Sequence, residues 1–136
     1  MLRECGLTFN ESRYCRSVSI VVLNWNGLRF LSPCLNSLKN QTQQQLQIIL
    51  VDNGSTDGSV EFVKENFPSV EVVENHRNLG FAEGMNVGIK TATGDYVIAL
   101  NNDTRVAPNF IEVLLGHASR DPSIGGSVAN CFRKRE

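Results

Sequence analysis

Residues 48–58 read IILVDNGSTDG, four branched apolar residues followed at once by seven residues typical of turns and helix caps. The apolar run predicts a short buried strand. The polar residues predict a turn and then a helix start, because Asp, Asn, Ser and Gly favour these positions. The next apolar residues, Val60, Val63 and Phe67, have the spacing of one helix face. The segment therefore predicts a strand, a polar loop and a helix in succession.

The same succession recurs on both sides of this segment. Strands are predicted at 18–23, 70–73, 96–100 and 124–128. Pro33 is expected in the first turn of a helix, where proline is tolerated. Apolar strands that alternate with amphipathic helices indicate an α/β fold, with a mostly parallel sheet covered by helices on both faces. The apolar faces of the other helices are expected at Leu28, Leu31, Leu35 and Leu38; at Phe81, Met85 and Ile89; and at Ile111, Leu114, Leu115 and Ala118.

One domain accounts for most of the chain. Its 136 residues fit the usual size of a single domain, and the hydrophobic fraction of 41% is enough for a core. Residues 1–16 are polar and irregular, so we predict a flexible leader there and a domain over residues 17–136. Proteins cover or pair the edges of their sheets. We therefore expect self-association into a homo-oligomer through the region after Val106.

Charge and cysteine patterns exclude several classes of protein. Thirteen Lys and Arg against fourteen Asp and Glu give a net charge of −1, and no basic stripe predicts nucleic-acid binding. No segment has the apolar length of a membrane span or the pattern of a signal peptide. We therefore expect a cytoplasmic location. No zinc site is predicted, because the four cysteines lack paired spacing: Cys5, Cys15, Cys34 and Cys131. In the cytoplasm we expect these cysteines to be reduced thiols.

Polar clusters follow four of the predicted strands directly. They are NWNG at 24–27, DNGSTDG at 52–58, ENHRNLG at 74–80 and NNDT at 101–104. In open α/β sheets, ligands bind at the carboxyl ends of the strands, near the point where the strand order reverses. The sequence therefore predicts that these clusters meet in one crevice, which binds a small polar ligand.

Several ligand classes are excluded by the residues in these loops. A GxGxxG dinucleotide motif and a P-loop are absent, and no Ser–His–Asp set is suggested. Residues 52–58 resemble a calcium loop only superficially, because Gly54 and Thr56 stand where oxygen ligands are wanted and the Glu at the twelfth position is missing. Two acids at strand ends remain. Asp52 is placed to accept hydrogen bonds from a base or ribose, and Asp103 to hold Mg²⁺ or Mn²⁺. Such an ion shares its coordination shell with substrate phosphates and acts as a Lewis acid.

Four segments in this order resemble a known family. They are VSIVVLNWNG at 18–27, IILVDNGSTDGS at 48–59, NHRNLGFAEGMNVGI at 75–89 and GDYVIALNNDT at 94–104. Together they resemble the family 2 glycosyltransferases of GT-A fold, and most of all the bacterial rhamnosyltransferase-like branch. The resemblance covers residues 18–130. It implies a Rossmann-like three-layer α/β/α sandwich and a metal-assisted transfer, with inversion, of a sugar from a UDP or dTDP donor to an acceptor hydroxyl.

The resemblance also implies roles for individual residues. Asp103 corresponds to the metal-coordinating acid of the family's DxD element, and Asn101 stands where the first acid of that element is expected. A peripheral membrane or lipid-linked acceptor is a further expectation. The positions that correspond to donor-binding residues are Asn24, Asn26, Asp52, Asn53, Asn78, Gly80, Gly84, Asn86, Asn101 and Asn102.

Family members continue into a region that supplies the acceptor site and the general base. We therefore expect this chain to be the donor-binding part of a GT-A domain, truncated on its C-terminal side, and we assign no catalytic residue. The alternative is a non-catalytic nucleotide-sugar-binding or assembly module that has lost this region. A nucleotidyltransferase is disfavoured, because NWNG lacks the Gly-rich basic phosphate loop that such an enzyme needs after its first strand.

Some of these residues also have a simpler structural interpretation. Asn78 fits a ligand contact and a local backbone partner equally well, and the same holds for Asn86. Trp25 is predicted to pack beside the first strand, and Asp57 to cap the helix that follows it. Three glycines at four-residue spacing are predicted to allow close packing: Gly80, Gly84 and Gly88.

Overall fold

The computed structural model describes residues 16–43, 45–120 and 131–133. Residues 1–15 of the predicted leader at 1–16, and the predicted strand at 124–128, lie outside the described residues. Arg16, assigned to the leader from sequence, is held by the domain, since its guanidinium donates to the Tyr96 hydroxyl at 2.9 Å. The elements are β1 (Val18–Asn24), α1 (Leu28–Lys39), β2 (Leu46–Asp52), α2 (Ser59–Asn66), β3 (Glu71–Glu74), α3 (Phe81–Thr91), β4 (Tyr96–Asn101), α4 (Phe110–Arg120) and β5 (Cys131–Arg133).

The strands form one sheet in the order β3-β2-β1-β4-β5. β1 pairs in parallel with both β2 and β4, and β2 pairs in parallel with β3, while β5 runs antiparallel to β4. The chain builds outward from β1 to β3 and then returns to the other side of β1. The strand order therefore reverses between β1 and β4, which is where open α/β sheets bind ligands. The register places Asn24 beside Asp52, and Leu23 beside Asn101.

Helices cover both faces of the sheet, as predicted, because side chains alternate along each strand. Ile20 and Val22 of β1 belong to one core, which α1, α2 and α4 cover. Val21 lies on the opposite face, in a second core with Met85 of α3. The approach of α3 is close, since a Cβ at Gly88 would lie 2.2 Å from a Val21 methyl. The predicted three-layer α/β/α sandwich is confirmed.

Two details of the helices differ from the prediction. Phe81 was expected on the buried face of α3, but it is the first residue of the helix and its side chain is 59% exposed. The buried face of α3 is formed by Gly84, Met85 and Gly88 instead. Pro33 lies in the second turn of α1, not in the first, because the helix begins at Leu28. Among the described helices, none has both the length and the apolar character needed to cross a membrane.

Candidate functional site

Asn24 joins three strands where they end. It is the last residue of β1, and its side chain is completely buried. Its Nδ2 donates to Asp52 Oδ1 at 3.0 Å and to Ser55 Oγ at 3.3 Å, both at the end of β2. Its Oδ1 accepts a hydrogen bond of 2.8 Å from Asn102 Nδ2, just after β4. One buried amide therefore links the loops on both sides of the point where the strand order reverses.

Asp52 is also buried, with 2% of its surface exposed. Its Oδ1 accepts from Asn24 Nδ2 and, at 2.6 Å, from the Ser55 hydroxyl. Its Oδ2 accepts from the Ser55 backbone N–H at 2.8 Å. The carboxylate thus holds the loop after β2 against β1. In the structure Asp52 caps this turn. A contact between Asp52 and a base or ribose stays a prediction.

The loop after β1 is bonded to the loop after β2. Asn26 has a φ of 48°, a left-handed conformation that Asn adopts more readily than most residues. In this conformation its Oδ1 accepts from the Thr56 N–H at 2.8 Å, and its own N–H donates to Ser55 Oγ at 2.8 Å. The Ser55 hydroxyl therefore contacts Asn24, Asn26 and Asp52. Sequence reasoning did not single out Ser55, because a Ser in a turn carries no signal of its tertiary partners.

A second set of amides holds the loop that precedes α3. Asn53, 2% exposed, donates from Nδ2 to the Gly80 carbonyl at 3.0 Å and to Asn78 Oδ1 at 3.3 Å. Its Oδ1 accepts from Asn75 Nδ2 at 2.9 Å. Asn78 Oδ1 also accepts from the Gly80 N–H at 2.8 Å, so Asn78 serves the local backbone. A ligand contact by Asn78 stays a prediction.

Two glycines near this loop are required for different physical reasons, close packing at one and backbone conformation at the other. A Cβ at Gly84 would lie 2.8 Å from Leu23 Cδ1 and from Asn53 Nδ2, so close packing is confirmed there. Gly80 has nothing within 4 Å of such a Cβ, and the close-packing prediction is wrong for it. Its φ of 81° and ψ of 178° fall in a region that only glycine adopts easily. Gly80 therefore allows the turn into α3.

Asp57 lies beside the first turns of two helices. Its Oδ2 accepts from the Leu28 N–H of α1 at 2.9 Å, and its Oδ1 accepts from the N–H and the hydroxyl of Ser59 in α2. The predicted cap is confirmed, and it extends to a second helix. Burial by itself raises the pKa of Asp57, but the hydrogen bonds from Ser59 and Leu28 outweigh it, so this pKa is lowered.

Other side chains of these loops are exposed. Trp25 is 56% exposed, so its predicted packing beside β1 is wrong: the residue follows the last position of the strand, Asn24. Asn86, Asn101 and Asp103 are exposed as well. Burial raises the pKa of the Cys34 thiol to about 11, and the negative charge of Asp103 adds to this.

The Asp103 carboxylate, after the end of β4, fits a divalent cation that takes most of its ligands from the substrate. Among the described residues, no hydrogen bond or ion pair engages the Asp103 carboxylate, and no three His, Cys, Asp or Glu side chains form a metal cluster. A complete protein cage for a metal is therefore absent from the part of the chain that the structure describes. One exposed carboxylate after the end of β4 matches the way in which Mg²⁺ is usually bound, with substrate phosphates and water as the other ligands.

The family follows from a comparison with family models. The model of glycosyl transferase family 2 matches residues 19–136. The chain belongs to this family. The match includes all four polar loops at the carboxyl ends of the strands, so it covers the whole candidate site.

Relatives in this family are longer proteins. Uncharacterized glycosyltransferase YibD of Escherichia coli (strain K12) is 36% identical over 117 residues, which are 84% of this chain and 33% of that protein. Glycosyltransferase GlyG of Streptococcus pneumoniae serotype 4 is 36% identical over 102 residues, which are 71% of this chain and 33% of GlyG. The chain therefore spans about a third of the length of the curated relatives it matches.

Solved structures confirm the GT-A-type fold. S. aureus TarS 1-349 in complex with UDP superposes with a TM-score of 0.71 and 22% identity, over 76% of this chain and 32% of that chain. Mannosyltransferase PcManGT from Pyrobaculum calidifontis, in complex with GDP-Man and Mn2+, superposes with a TM-score of 0.69 and 24% identity, over 80% and 34%. At these identities the likeness establishes the shared fold alone.

Proposed function

We propose that this chain forms the donor-binding part of a family 2 glycosyltransferase. The reaction moves a sugar from a nucleoside diphosphate, of UDP or dTDP type, to an acceptor hydroxyl with inversion. The observation that carries the proposal is the meeting of the loops after β1, β2 and β4 in one hydrogen-bonded network, with Trp25 and Asp103 exposed beside it. A UDP complex of TarS and a GDP-Man complex of PcManGT, both of this fold, support a nucleotide-sugar ligand.

The predicted donor-binding residues take two kinds of role in this proposal. Exposed side chains touch the donor, and Trp25 offers its ring to the base. Buried side chains and glycines shape the loops. The first group is Asn26, Asn78, Asn86 and Asn101, and the second is Asn24, Asp52, Asn53, Gly80, Gly84 and Asn102.

Asp103 is the residue that would hold Mg²⁺ or Mn²⁺. The ion supplies positive charge to the diphosphate that leaves the sugar. Asp103 itself contributes an exposed carboxylate at the end of β4, next to the loop that Asn24 anchors. The exposed position leaves room for a diphosphate to share the ion.

Further parts of the proposal concern the whole protein. They are membership of the rhamnosyltransferase-like branch, a cytoplasmic location, a peripheral membrane or lipid-linked acceptor, and self-association through the region after Val106. Each of these rests on the sequence resemblance or on sheet-edge reasoning and stays a prediction.

Calorimetric titration with UDP, dTDP and GDP, each with and without MnCl₂, tests the proposal. We expect one of the uridine or thymidine nucleotides to bind, with manganese increasing its affinity. In Asp103→Ala the manganese-dependent gain should be lost, because the metal would lose its protein ligand. Asp95→Ala is the matched control: Asp95 is also exposed, but it precedes β4 and lies at the opposite end of the strand.

The opposite results have clear meanings. If no nucleotide binds with or without manganese, the chain has the fold without a donor site. If manganese increases the affinity equally in wild type and Asp103→Ala, the ion is held elsewhere and Asp103 loses its assigned role. Binding without any donor hydrolysis would favour the non-catalytic module.

A further inference from the structure

The orientation of the Asn24 amide is fixed by its surroundings. Asp52 Oδ1 is a carboxylate oxygen and can only accept hydrogen bonds, so the Asn24 nitrogen must face it. The Asn24 oxygen must then face β4, inside a site with no exposed surface. A buried amide oxygen needs a donor, because an unmade hydrogen bond in such a place is costly. The donor is the Asn102 side chain.

Asn102 is held on the inner side of the turn that follows β4. Its neighbours Asn101 and Asp103 are exposed, whereas Asn102 is half-buried. A Cβ at Gly27 would lie 2.1 Å from Asn102 Nδ2 and 2.6 Å from Asn24 Oδ1. The absence of a side chain at residue 27 therefore makes room for the hydrogen bond between Asn102 and Asn24. Gly27 has a φ of −111°, which any residue adopts, so only this lack of space requires glycine here.

We propose that Asn102 is a positioning residue that fixes the Asp103 carboxylate for a divalent cation through the Asn102–Asn24 hydrogen bond. The inference rests on the proposed function, since it assumes that Asp103 holds the ion. In this view Asn102 touches neither the nucleotide nor the metal. It joins the turn after β4 to the buried network on β1 and β2, so that Asp103 cannot swing away from the diphosphate.

The chemistry of the ion explains why the Asn102–Asn24 hydrogen bond is needed. Mg²⁺ and Mn²⁺ sites with few protein ligands depend on the exact placement of each one, and groups that orient a ligand affect metal affinity strongly. The backbone of the turn has a hydrogen bond of 3.1 Å from the Thr104 N–H to the Asn101 carbonyl, which closes the turn without tying it to another strand. The Asn102–Asn24 bond makes that tie.

Titration of the chain with UDP, with and without MnCl₂, separates positioning from general stability. In Asn102→Ala we expect the manganese-dependent gain in UDP affinity to fall by about tenfold or more. UDP affinity without manganese and the melting temperature should change far less. Asn102→Ser is the second variant, with the same expectation, since its shorter side chain does not reach Asn24. Asn36→Ala is the matched control, because Asn36 is exposed on α1 and its side chain bonds only to Ser32 among the described residues.

Gly27→Ala tests the same hydrogen bond from the other side. The added methyl group would displace Asn102, so the manganese-dependent gain should fall as it does in Asn102→Ala. Both substitutions break the Asn102–Asn24 hydrogen bond, although the new methyl group also crowds Asn24 Oδ1. The losses in the double variant should therefore be clearly less than additive. Fully additive losses would overturn the proposal, because they would mean that residues 27 and 102 act independently.

Other results also overturn it, and they differ from failure of the proposed function. If wild type binds UDP with manganese and Asn102→Ala retains the full gain, Asn102 does not position Asp103. If Asn102→Ala loses metal-free and manganese-dependent binding equally, its role is structural only. If wild type binds no nucleotide at all, or Asp103→Ala retains the manganese gain, it is the proposed function that fails.

Discussion

Buried polar side chains lie at both ends of the sheet, and the two ends differ in what surrounds them. At the amino end, Ser19 has no exposed surface, donates to Gln47 Oε1 at 2.6 Å and accepts from the Gly94 N–H at 2.8 Å. Gln47 Oε1 also accepts from the Thr93 N–H at 2.9 Å. These bonds close the turn between α3 and β4 against the first strands.

At the carboxyl end, the buried network has exposed neighbours. Asn24 and Asp52 are as well satisfied as Ser19, but Trp25 and Asp103 stand beside them in solvent. A buried polar network therefore does not by itself mark a site in this fold. What marks the site is a buried network that supports exposed polar and aromatic groups, at the place where the strand order reverses.

The largest expected effect is that of Asp52→Ala. It removes the acceptor of three hydrogen bonds and leaves the donors of buried Asn24 and half-buried Ser55 short of partners. We expect a loss of about 3 kcal/mol in the free energy of unfolding, together with weaker nucleotide binding. Urea denaturation and calorimetric titration measure the two effects.

Asp95→Ala is the control for this substitution. Asp95 accepts hydrogen bonds from the N–H and hydroxyl of Ser17, but it is exposed, so water replaces the carboxylate. We expect a change in stability below about 1 kcal/mol and unchanged nucleotide binding. Equal losses of stability in the two variants would mean that the buried network after β2 contributes no more than a surface contact.

Ser19→Ala should have an intermediate effect on stability and none on the site. The buried Gly94 N–H loses its acceptor, which we expect to lower the free energy of unfolding by about 2 kcal/mol. Nucleotide affinity of the folded protein should equal that of wild type. A clear loss of affinity in folded Ser19→Ala would contradict the separation of the two ends.

The smallest effect is the pH dependence that Asp57 contributes. Its pKa lies below the ordinary value of 3.8 in the folded protein, so its ionised form stabilises the fold. This stabilisation is fully present above that ordinary value and is lost as the pH falls through the lower, folded-state pKa. Urea denaturation of wild type and Asp57→Asn from neutral pH to about pH 3 measures it. The stability difference between them should be constant near neutrality and shrink below about pH 4. A difference that is independent of pH would mean that the carboxylate charge contributes nothing to the cap.

Much of the fold could be predicted because each element carries a local pattern. The strand at 48–51 and the helix face at Val60, Val63 and Phe67 are visible as apolar runs and spacings, and all of these residues are buried. Phe81 and Trp25 could not be placed from sequence, because an apolar side chain at the end of an element follows the same spacing whether or not a neighbouring layer covers it. Their exposure depends on where the sheet and helices stop.

The sequence by itself determined the order of strands and helices, the polar loops after the strands and the membership of glycosyl transferase family 2. The order of elements and the polar loops follow from composition and spacing over short distances along the chain, and the membership follows from the match of residues 19–136 to the family model. Only the tertiary structure decided which polar residues support the site and which stand open to solvent. Asn24 and Asn102 are 78 positions apart in the chain, and Asn24 and Asp52 are 28 apart. Their hydrogen bonds exist because β1 lies between β2 and β4 in the sheet, and no local pattern encodes that placement.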